Sequence, residues 1–131
     1  MFVDDRAHWL RSMGRVFEAS ASHVYLYTNP LEALEQIPLR RPDAVVLASR
    51  MAHASGAQLA RALRRRLGSA CPRLVLLIEA DEHPSEADRA LFAEVHVKPV
   101  SAETLCEILG HAARSARLER LGSRRVERAA G

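Results

Sequence analysis

Short apolar runs alternate along the chain with segments in which apolar residues recur every three or four positions. The runs 44–48 (Ala-Val-Val-Leu-Ala) and 74–78 (Leu-Val-Leu-Leu-Ile) are apolar throughout. Strands of this composition are typical of a parallel sheet that helices cover on both faces. Three shorter runs, 1–3, 24–27 and 95–97, complete a set of five predicted strands.

A helix is predicted after each strand. Pro30 is placed to start the second helix, which ends at Pro38, and Gly68 ends the third. The segments with helical spacing are 7–17, 30–38, 59–67, 85–93 and a last one that begins at Ser101, which can cap it. Strands and helices that alternate at these lengths predict an α/β domain with a doubly wound, five-stranded parallel sheet and helices on both faces.

Length and composition narrow the class of protein. A chain of 131 residues has room for one sizeable core. No apolar run approaches the roughly 20 residues of a membrane helix, and the chain starts with acidic rather than basic residues, unlike a signal peptide. We therefore expect a cytoplasmic protein without a membrane partner. Cys71 and Cys106 are predicted to be plain thiols, and the six histidines are too scattered for a zinc site.

Charge divides the chain into two parts. The net charge is +3, but residues 113–131 carry six arginines and two glutamates, a charge of +4, which leaves −1 for residues 1–112. We predict a folded domain at 1–112 without a nucleic-acid-binding core, followed by a basic C-terminal helical extension or linker. The tail has three interpretations. It is a helix that pairs with a partner helix, or a linker to another domain, or a basic segment that is attracted to acidic surfaces. A solvated helix face is predicted for Arg61, Arg64, Arg65 and Arg66.

Candidate chemistry is expected at one edge of the sheet. In an open parallel sheet, the crevice lies beyond the carboxyl ends of the strands, where the strand order reverses. The loops that reach this crevice carry Asp4 and Asp5, the segment 48–56, the pair Ile78–Glu79, and Lys98, the only lysine of the chain. Any functional site of the domain is predicted among these residues.

Several short motifs occur in the order and spacing of a known family. They are Val3-Asp4-Asp5, Arg41-Pro42-Asp43 before the third strand, Met51 followed by Ser55-Gly56, and Val97-Lys98-Pro99. Over about residues 1–112 the chain resembles the receiver domain of two-component response regulators, of the chemotaxis-regulator type. The resemblance implies a flavodoxin-like (βα)5 fold and a role in signal transduction.

The resemblance also reveals where this chain departs from the family. Receivers take a phosphoryl group onto an aspartate at the end of the third strand, assisted by Mg²⁺, a hydroxyl residue after the fourth strand and a lysine. Carried over by position, the acceptor is Ala48, the hydroxyl residue is Ile78 or Glu79, and the switch aromatic is Val95. Because a methyl group cannot carry an acyl phosphate, the resemblance implies a degenerate pseudo-receiver that has no catalytic residue and is not an enzyme.

The remaining pocket residues allow more than one interpretation. In one interpretation, Asp4 and Asp5 bind Mg²⁺ weakly, with the Arg50 carbonyl as a further ligand. In the other, one of the two carboxylates pairs with Lys98 while the other faces water. No other cofactor is expected. Arg50 either fills the pocket or is solvated. Glu79 is a candidate for a fixed negative charge at the pocket edge that resembles an activated state.

Two functions from different classes fit these residues. The first is a phosphorylation-independent module that acts by binding a protein partner or a second copy of itself through residues 85–112, the region in which the family docks or dimerises. The alternative is the N-terminal regulatory domain of a longer response regulator, whose DNA-binding or enzymatic output domain would be the only route to nucleic acid. A third hypothesis, an active receiver with a displaced acceptor, requires phosphorylation of Asp4 or Asp5.

Overall fold

Strands and helices alternate along the chain as the apolar pattern predicts. The computed structural model describes residues 1–18, 23–101, 103–111, 114 and 118. The strands are β1 (Phe2–Val3), β2 (Leu26–Tyr27), β3 (Ala44–Ala48), β4 (Arg73–Ile78) and β5 (Glu94–Val97). The helices are α1 (Ala7–Glu18), α2 (Pro30–Arg40), α3 (Gly56–Leu67), α4 (Glu86–Arg89) and α5 (residues 103–111). In this part of the chain no helix has the length and apolar character of a membrane span.

The five strands form one parallel sheet with the order β2-β1-β3-β4-β5. The predicted fold class, a doubly wound α/β flavodoxin-like sheet, is confirmed. The strand order reverses at β1, so the switch-point crevice lies between the loops that follow β1 and β3. Val3 pairs with Leu47, and Ala48 pairs with Leu77. Asp4 and Ala48 therefore lie next to each other at the same edge of the sheet.

The two faces of the sheet bury separate apolar clusters. Successive side chains of a strand point to opposite faces. On one face, Val45 of β3 packs in a cluster with Leu59 of α3. On the other face, Val46 packs in a cluster with Leu10 of α1 and Leu105 of α5. Because both faces of β3 and β4 are covered, these strands are apolar at nearly every position.

Side-chain caps set where α2 and α3 begin. The Asn29 Oδ1 atom accepts a hydrogen bond from Leu31 N at 2.9 Å. Ser55 and Gln58 form a capping box, in which each side chain accepts a hydrogen bond from the backbone N–H of the other. The capping box starts α3 at Gly56, earlier than the predicted segment 59–67.

α2 continues beyond Pro38, the residue that the sequence predicts as its end. The helix runs to Arg40. Pro38 lies inside this helix and leaves it without one backbone hydrogen bond. Arg41 then adopts a left-handed conformation (φ 49°) and donates its N–H to Ile37 O at 2.9 Å. This bond closes the helix.

α4 is a single turn attached to arginines of α3. It is shorter than the predicted segment 85–93. Arg61 forms an ion pair with Asp88, and Arg64 donates two hydrogen bonds to Leu91 O at 2.5 and 2.9 Å. The predicted solvated face is confirmed, because Arg61, Arg64, Arg65 and Arg66 are all exposed. In addition, Arg61 and Arg64 fasten the segment after β4 to α3.

The last described helix packs on the α1 face of the sheet. Its predicted cap at Ser101 is present, because the Ser101 hydroxyl accepts a hydrogen bond from Thr104 N at 3.1 Å. Leu105 and Ile108 are buried and belong to the same cluster as Leu10 of α1. The predicted boundary after residue 112 and, except for residues 114 and 118, the predicted tail 113–131 lie outside the described residues.

Gly56 allows the loop after β3 to fold closely against the end of that strand. A Cβ atom at this position would lie 2.6 Å from Ala48 O and 2.8 Å from Leu76 Cδ1. Ala48 O is a backbone atom, so no change of side-chain rotamer can relieve this contact. Gly56 also donates its N–H to Ser49 O at 3.0 Å. The absence of a side chain here therefore positions the loop that borders the crevice.

We expect Gly56→Ala to lower the free energy of unfolding by about 2–3 kcal/mol, because the added methyl group overpacks the turn against Ala48 O. Gly68→Ala is the matched control: nothing lies within 4 Å of a Cβ atom there, so only the positive φ of 53° is strained. That strain costs about 1 kcal/mol. Urea unfolding followed by circular dichroism measures both losses, and equal losses would contradict the packing argument.

Candidate functional site

The carboxylate of Asp4 is buried at the carboxyl end of β1 and is paired with Lys98. Asp4 is only 2% exposed. Its Oδ2 atom accepts a hydrogen bond from Lys98 Nζ at 3.0 Å, and its Oδ1 atom accepts one from Arg6 N at 3.0 Å. Burial of a charged carboxylate is costly unless a counter-ion and hydrogen bonds compensate it. Lys98 is therefore the residue that stabilises the charge of Asp4 in the pocket.

Lys98 is held over the pocket by its backbone and by an aromatic ring. Its N–H donates to Ile78 O at 2.8 Å, which extends the pairing of β4 and β5 beyond Val97. Its Nζ atom lies 5.3 Å from the centre of the Trp9 ring on α1, within the range of a cation–π interaction. The lysine side chain therefore bridges α1 and the end of β1.

Asp5 lies at the mouth of the pocket and makes a different contact. The residue is exposed, and its Oδ2 atom accepts a hydrogen bond from Ala52 N at 2.7 Å. Asp5 thus faces water, as one of the two interpretations expects, and the loop after β3 also brings a backbone N–H to it. Asp4 is thus engaged by Lys98, and Asp5 by the β3–α3 loop.

Ala48 occupies the acceptor position of the resemblance. It is the last residue of β3 and is buried beside Asp4. Its methyl group offers neither a negative charge nor a nucleophile. Val95, at the switch-aromatic position, is half-buried against the cluster on the α3 face. Neither side chain has a polar group with which to bind or report a phosphoryl group.

Glu79 directly follows β4 and is one of the two positions that the resemblance gives for the hydroxyl residue. Ile78 is the last residue of β4 and is buried in the core, so Glu79 is the first residue that can face the crevice. The Glu79 Oε1 atom lies 3.1 Å from Arg6 Nη2 and 3.7 Å from Lys98 Nζ. The structure thus places a fixed carboxylate with two cationic neighbours at the pocket edge.

A second group of polar contacts joins the loops after β3 and β4. We call it the Glu82 clamp; it consists of Ser49, Arg50, Asp81, Glu82 and the backbone N–H of Glu79. The Glu82 Oε2 atom accepts hydrogen bonds from Ser49 Oγ at 2.5 Å and from Glu79 N at 3.0 Å. Its Oε1 atom lies 2.6 Å from Arg50 Nε. Both oxygens of the carboxylate are therefore bound by groups of the same chain.

Arg50 is exposed and contacts acidic side chains of the loop after β4. Its Nη1 and Nη2 atoms each donate to an oxygen of Asp81 at 3.3 Å, and its Nε atom faces Glu82. Hydrogen bonding to Asp81 raises the pKa of Arg50, and the negative charges of Glu82 and Glu79 add to this effect. The alternative that Arg50 fills the pocket is wrong, because the guanidinium is at the surface, where Asp81 and Glu82 bind it.

Sequence reasoning missed Arg6 and Glu82, and it included Ser49 only as part of the segment 48–56. Each is a common polar residue in a predicted turn or loop, and no motif distinguishes it. Their partners are distant in sequence or come from backbone groups: Ser49 and Glu82 lie 33 positions apart. Only the approach of the two loops at the sheet edge brings them together.

The side chains at this edge do not fit the Mg²⁺ site that the resemblance implies. Magnesium requires near-octahedral oxygen ligation. Here both oxygens of Asp4 are engaged, one oxygen of Asp5 is engaged, and Ala48 supplies none. In the part of the chain that the structure describes, no group of three or more His, Cys, Asp or Glu residues is arranged to hold a metal ion. Weak binding through Asp4 and Asp5 remains a prediction.

Comparison with known families agrees with the fold. Residues 1–110 match the family described as the response regulator receiver domain. The positive alginate biosynthesis regulatory protein of Pseudomonas aeruginosa is 37% identical over 105 residues, which are 80% of this chain and 39% of that protein. This chain thus spans well under half the length of that relative. It belongs to the response regulator receiver domain family of two-component signalling.

Solved structures share the fold at low sequence identity. A CheY-like response regulator receiver domain protein from Methanospirillum hungatei superposes with a TM-score of 0.80 at 18% identity, over 89% of this chain and 94% of that one. A probable two-component system response regulator/GGDEF domain protein has a TM-score of 0.77 at 18% identity, over 88% of this chain and 49% of that one. In that second structure, a receiver-like fold forms only part of a longer chain.

The Asp4–Lys98 ion pair predicts a strongly non-additive pair of substitutions. We expect Lys98→Met to cost about 3 kcal/mol of unfolding free energy, because it leaves the Asp4 carboxylate buried without a counter-ion. Adding Asp4→Asn should return part of that loss, since the neutral amide can still accept the hydrogen bond from Arg6 N. Urea denaturation of both single variants and the double variant at pH 7 checks this. A double variant less stable than Lys98→Met alone would exclude the pair as the dominant interaction.

Proposed function

We propose that this receiver domain transmits signals without an acyl phosphate, as a phosphorylation-independent protein-binding module. The observation that carries the proposal is Ala48, whose methyl group is buried at the end of β3. Receivers carry their carboxylate nucleophile at this position. No step of phosphoryl transfer can begin at this position. The domain therefore works by binding rather than by catalysis.

The charges around the pocket support the same proposal. A receiver that accepts a phosphoryl group needs cationic groups that can bind the phosphoryl oxygens and stabilise their negative charge. Here Lys98 already neutralises Asp4, and Arg6 already pairs with Glu79. A phosphoryl group at this edge would face the carboxylates of Asp4 and Glu79 without a free cation between them. Mg²⁺ accordingly has no role in the proposed activity.

We infer that the binding face lies within residues 85–112, and that a second copy of this chain is its partner. β5 is an edge strand of the sheet, and Val97 at its end is 53% exposed. The backbone N–H and C=O groups along an edge strand can pair with another chain, and Val97 adds an exposed apolar contact at the end of this strand. α4 is a short turn fastened to α3, so it leaves this edge accessible.

A second candidate function is that of the regulatory domain of a longer response regulator. The supporting observation is coverage: the chain spans 39% of the alginate regulatory protein and 49% of the GGDEF domain protein. In this case the binding face would act on an output domain in the same polypeptide. A cytoplasmic location is expected for either function.

The first test is phosphoryl transfer. Incubation with acetyl phosphate and Mg²⁺, followed by intact-mass spectrometry under mild conditions, should detect no phosphoryl adduct on the native chain, because Ala48 cannot form an acyl phosphate. An active receiver from another protein serves as the positive control. The double variant Ala48→Asp/Glu79→Thr, which restores a carboxylate and a hydroxyl, is expected to become labelled. A labile adduct on the native chain would overturn the proposal and direct mutagenesis to Asp4 and Asp5.

The second test concerns the binding face. We expect the native chain to show a concentration-dependent monomer–dimer equilibrium in sedimentation equilibrium, and Val97→Glu to weaken it by about tenfold or more by placing a charge in the interface. Leu39→Glu on α2 is the matched control, since Leu39 is 73% exposed and lies outside the proposed face. A native chain that stays monomeric, or equal effects of the two variants, would refute self-association through this face.

A further inference from the structure

We propose that the Glu82 carboxylate is an internal ligand, which occupies an oxyanion cradle between the loops after β3 and β4 and holds these loops in one arrangement without any phosphoryl group. This inference rests on the proposed function and deepens it. It assigns to one side chain of this protein the role of an anion that would otherwise come from outside.

The cradle contains three donors of different chemical types. Ser49 Oγ and Glu79 N donate to the Oε2 atom of Glu82 at 2.5 and 3.0 Å, and Arg50 Nε lies 2.6 Å from its Oε1 atom. A hydroxyl, a backbone amide and a guanidinium converging on one group form a typical binding site for a carboxylate or a phosphate. The Glu82 side chain is 13% exposed, so these contacts are largely shielded from water.

The cradle lies at the edge of the sheet where the resemblance implies phosphoryl transfer. Ser49 directly follows Ala48, and Glu79 directly follows β4. These are the two strand ends at which the resemblance places the phosphoryl acceptor and the hydroxyl residue. An anion bound between them therefore joins the same two loops that a phosphoryl group would join.

The turn that carries Glu82 is built to present its carboxylate. Glu82 N donates to Glu79 O at 3.1 Å, while the Glu82 side chain accepts the hydrogen bond from Glu79 N. The two residues thus bond to each other twice, through backbone and side chain. Since the turn is closed in this way, little conformational entropy remains to be lost when Glu82 contacts Ser49 and Arg50.

Glu79 links the cradle to the buried ion pair. Its backbone N–H belongs to the Glu82 clamp, whereas its carboxylate faces Arg6 and Lys98. Glu79 is therefore in contact with both Glu82 and the lysine of the Asp4–Lys98 pair. The lone tryptophan, Trp9, lies against Lys98 and can report a change at this pair by its fluorescence.

Asp81 contacts the same arginine but does not fill the cradle. Its two oxygens lie 3.3 Å from Arg50, its side chain is 72% exposed, and it receives no contact from Ser49 or from Glu79 N among the described hydrogen bonds. An ion pair this exposed contributes little to stability. Asp81→Ala is therefore the matched control, because it removes a carboxylate from the same arginine without emptying the cradle.

Chemical rescue tests the proposal. Glu82→Ala should lower the thermal unfolding midpoint by about 5–10 °C, because it leaves the Ser49 hydroxyl and the Glu79 N–H without an acceptor. Sodium acetate should restore part of this loss in a saturable manner, and sodium chloride at the same ionic strength should not. Asp81→Ala should change the midpoint by less than about 2 °C and should gain no more from acetate than the native chain does.

Two further variants keep the result decisive. In Glu82→Ala/Arg50→Gln, the acetate effect should disappear, because the cationic donor is gone.

Should Glu82→Ala fail to fold, Glu82→Gln retains the shape of the side chain. The amide proton of Glu79 should then move upfield in the NMR spectrum, since its acceptor is no longer charged. Equal effects of acetate on the native chain and Glu82→Ala, or an unmoved Glu79 amide in Glu82→Gln, would overturn the internal-ligand proposal.

This outcome is separable from the test of the proposed function. Absence of acetate rescue together with absence of a phosphoryl adduct would refute the role of Glu82 and leave the phosphorylation-independent module standing. A phosphoryl adduct on the native chain would refute the proposed function, even where acetate stabilises Glu82→Ala. The two measurements use different readouts, mass and thermal midpoint, and neither depends on the other.

Discussion

The structure depends on the neutralisation of one buried charge, the carboxylate of Asp4 at the carboxyl end of β1. Lys98 compensates this charge from 94 positions away in sequence and from the end of β5, beyond β3 and β4 in the sheet. For that contact to form, β1, β3, β4 and β5 must pair in register, and both faces of the sheet must be covered. Since an unpaired carboxylate at this depth is strongly unfavourable, the pair ties the state of the pocket to the integrity of the fold.

Around this ion pair, carboxylates of the chain itself bind the cationic and N–H groups of the pocket. In a phosphorylated receiver, such groups would bind the phosphoryl oxygens. The carboxylate of Glu79 contacts Arg6 and Lys98, while its N–H contacts the carboxylate of Glu82. Most cationic groups near the crevice thus have an anionic partner from this chain. A pocket arranged in this way favours a single state, which is consistent with a domain whose signal is its binding face rather than its chemical modification.

The fold was predictable because its determinants are local and periodic. The apolar run 44–48 required a strand covered on both faces, and Gly68 ended α3 as predicted. The position of Ala48 at the end of β3 followed from the same pattern. The errors arose where local propensity competed with packing: α2 continued through Pro38 because Arg41 closes the helix, and α4 was reduced to one turn held by Arg61 and Arg64.

By itself, the sequence determined the fold class, the acidic residues at the end of the first strand, the place of Ala48 at the end of the third strand and the presence of Lys98 near the crevice. These features follow from periodicity and from the residue types in the motifs. Only the tertiary structure decided that Lys98 selects Asp4 over Asp5, and that Arg50 binds Glu82 outside the pocket. The physical reason is that ion pairs between loops depend on distances of a few ångströms, which are set by how the loops fold back on the sheet and are not encoded in any local pattern.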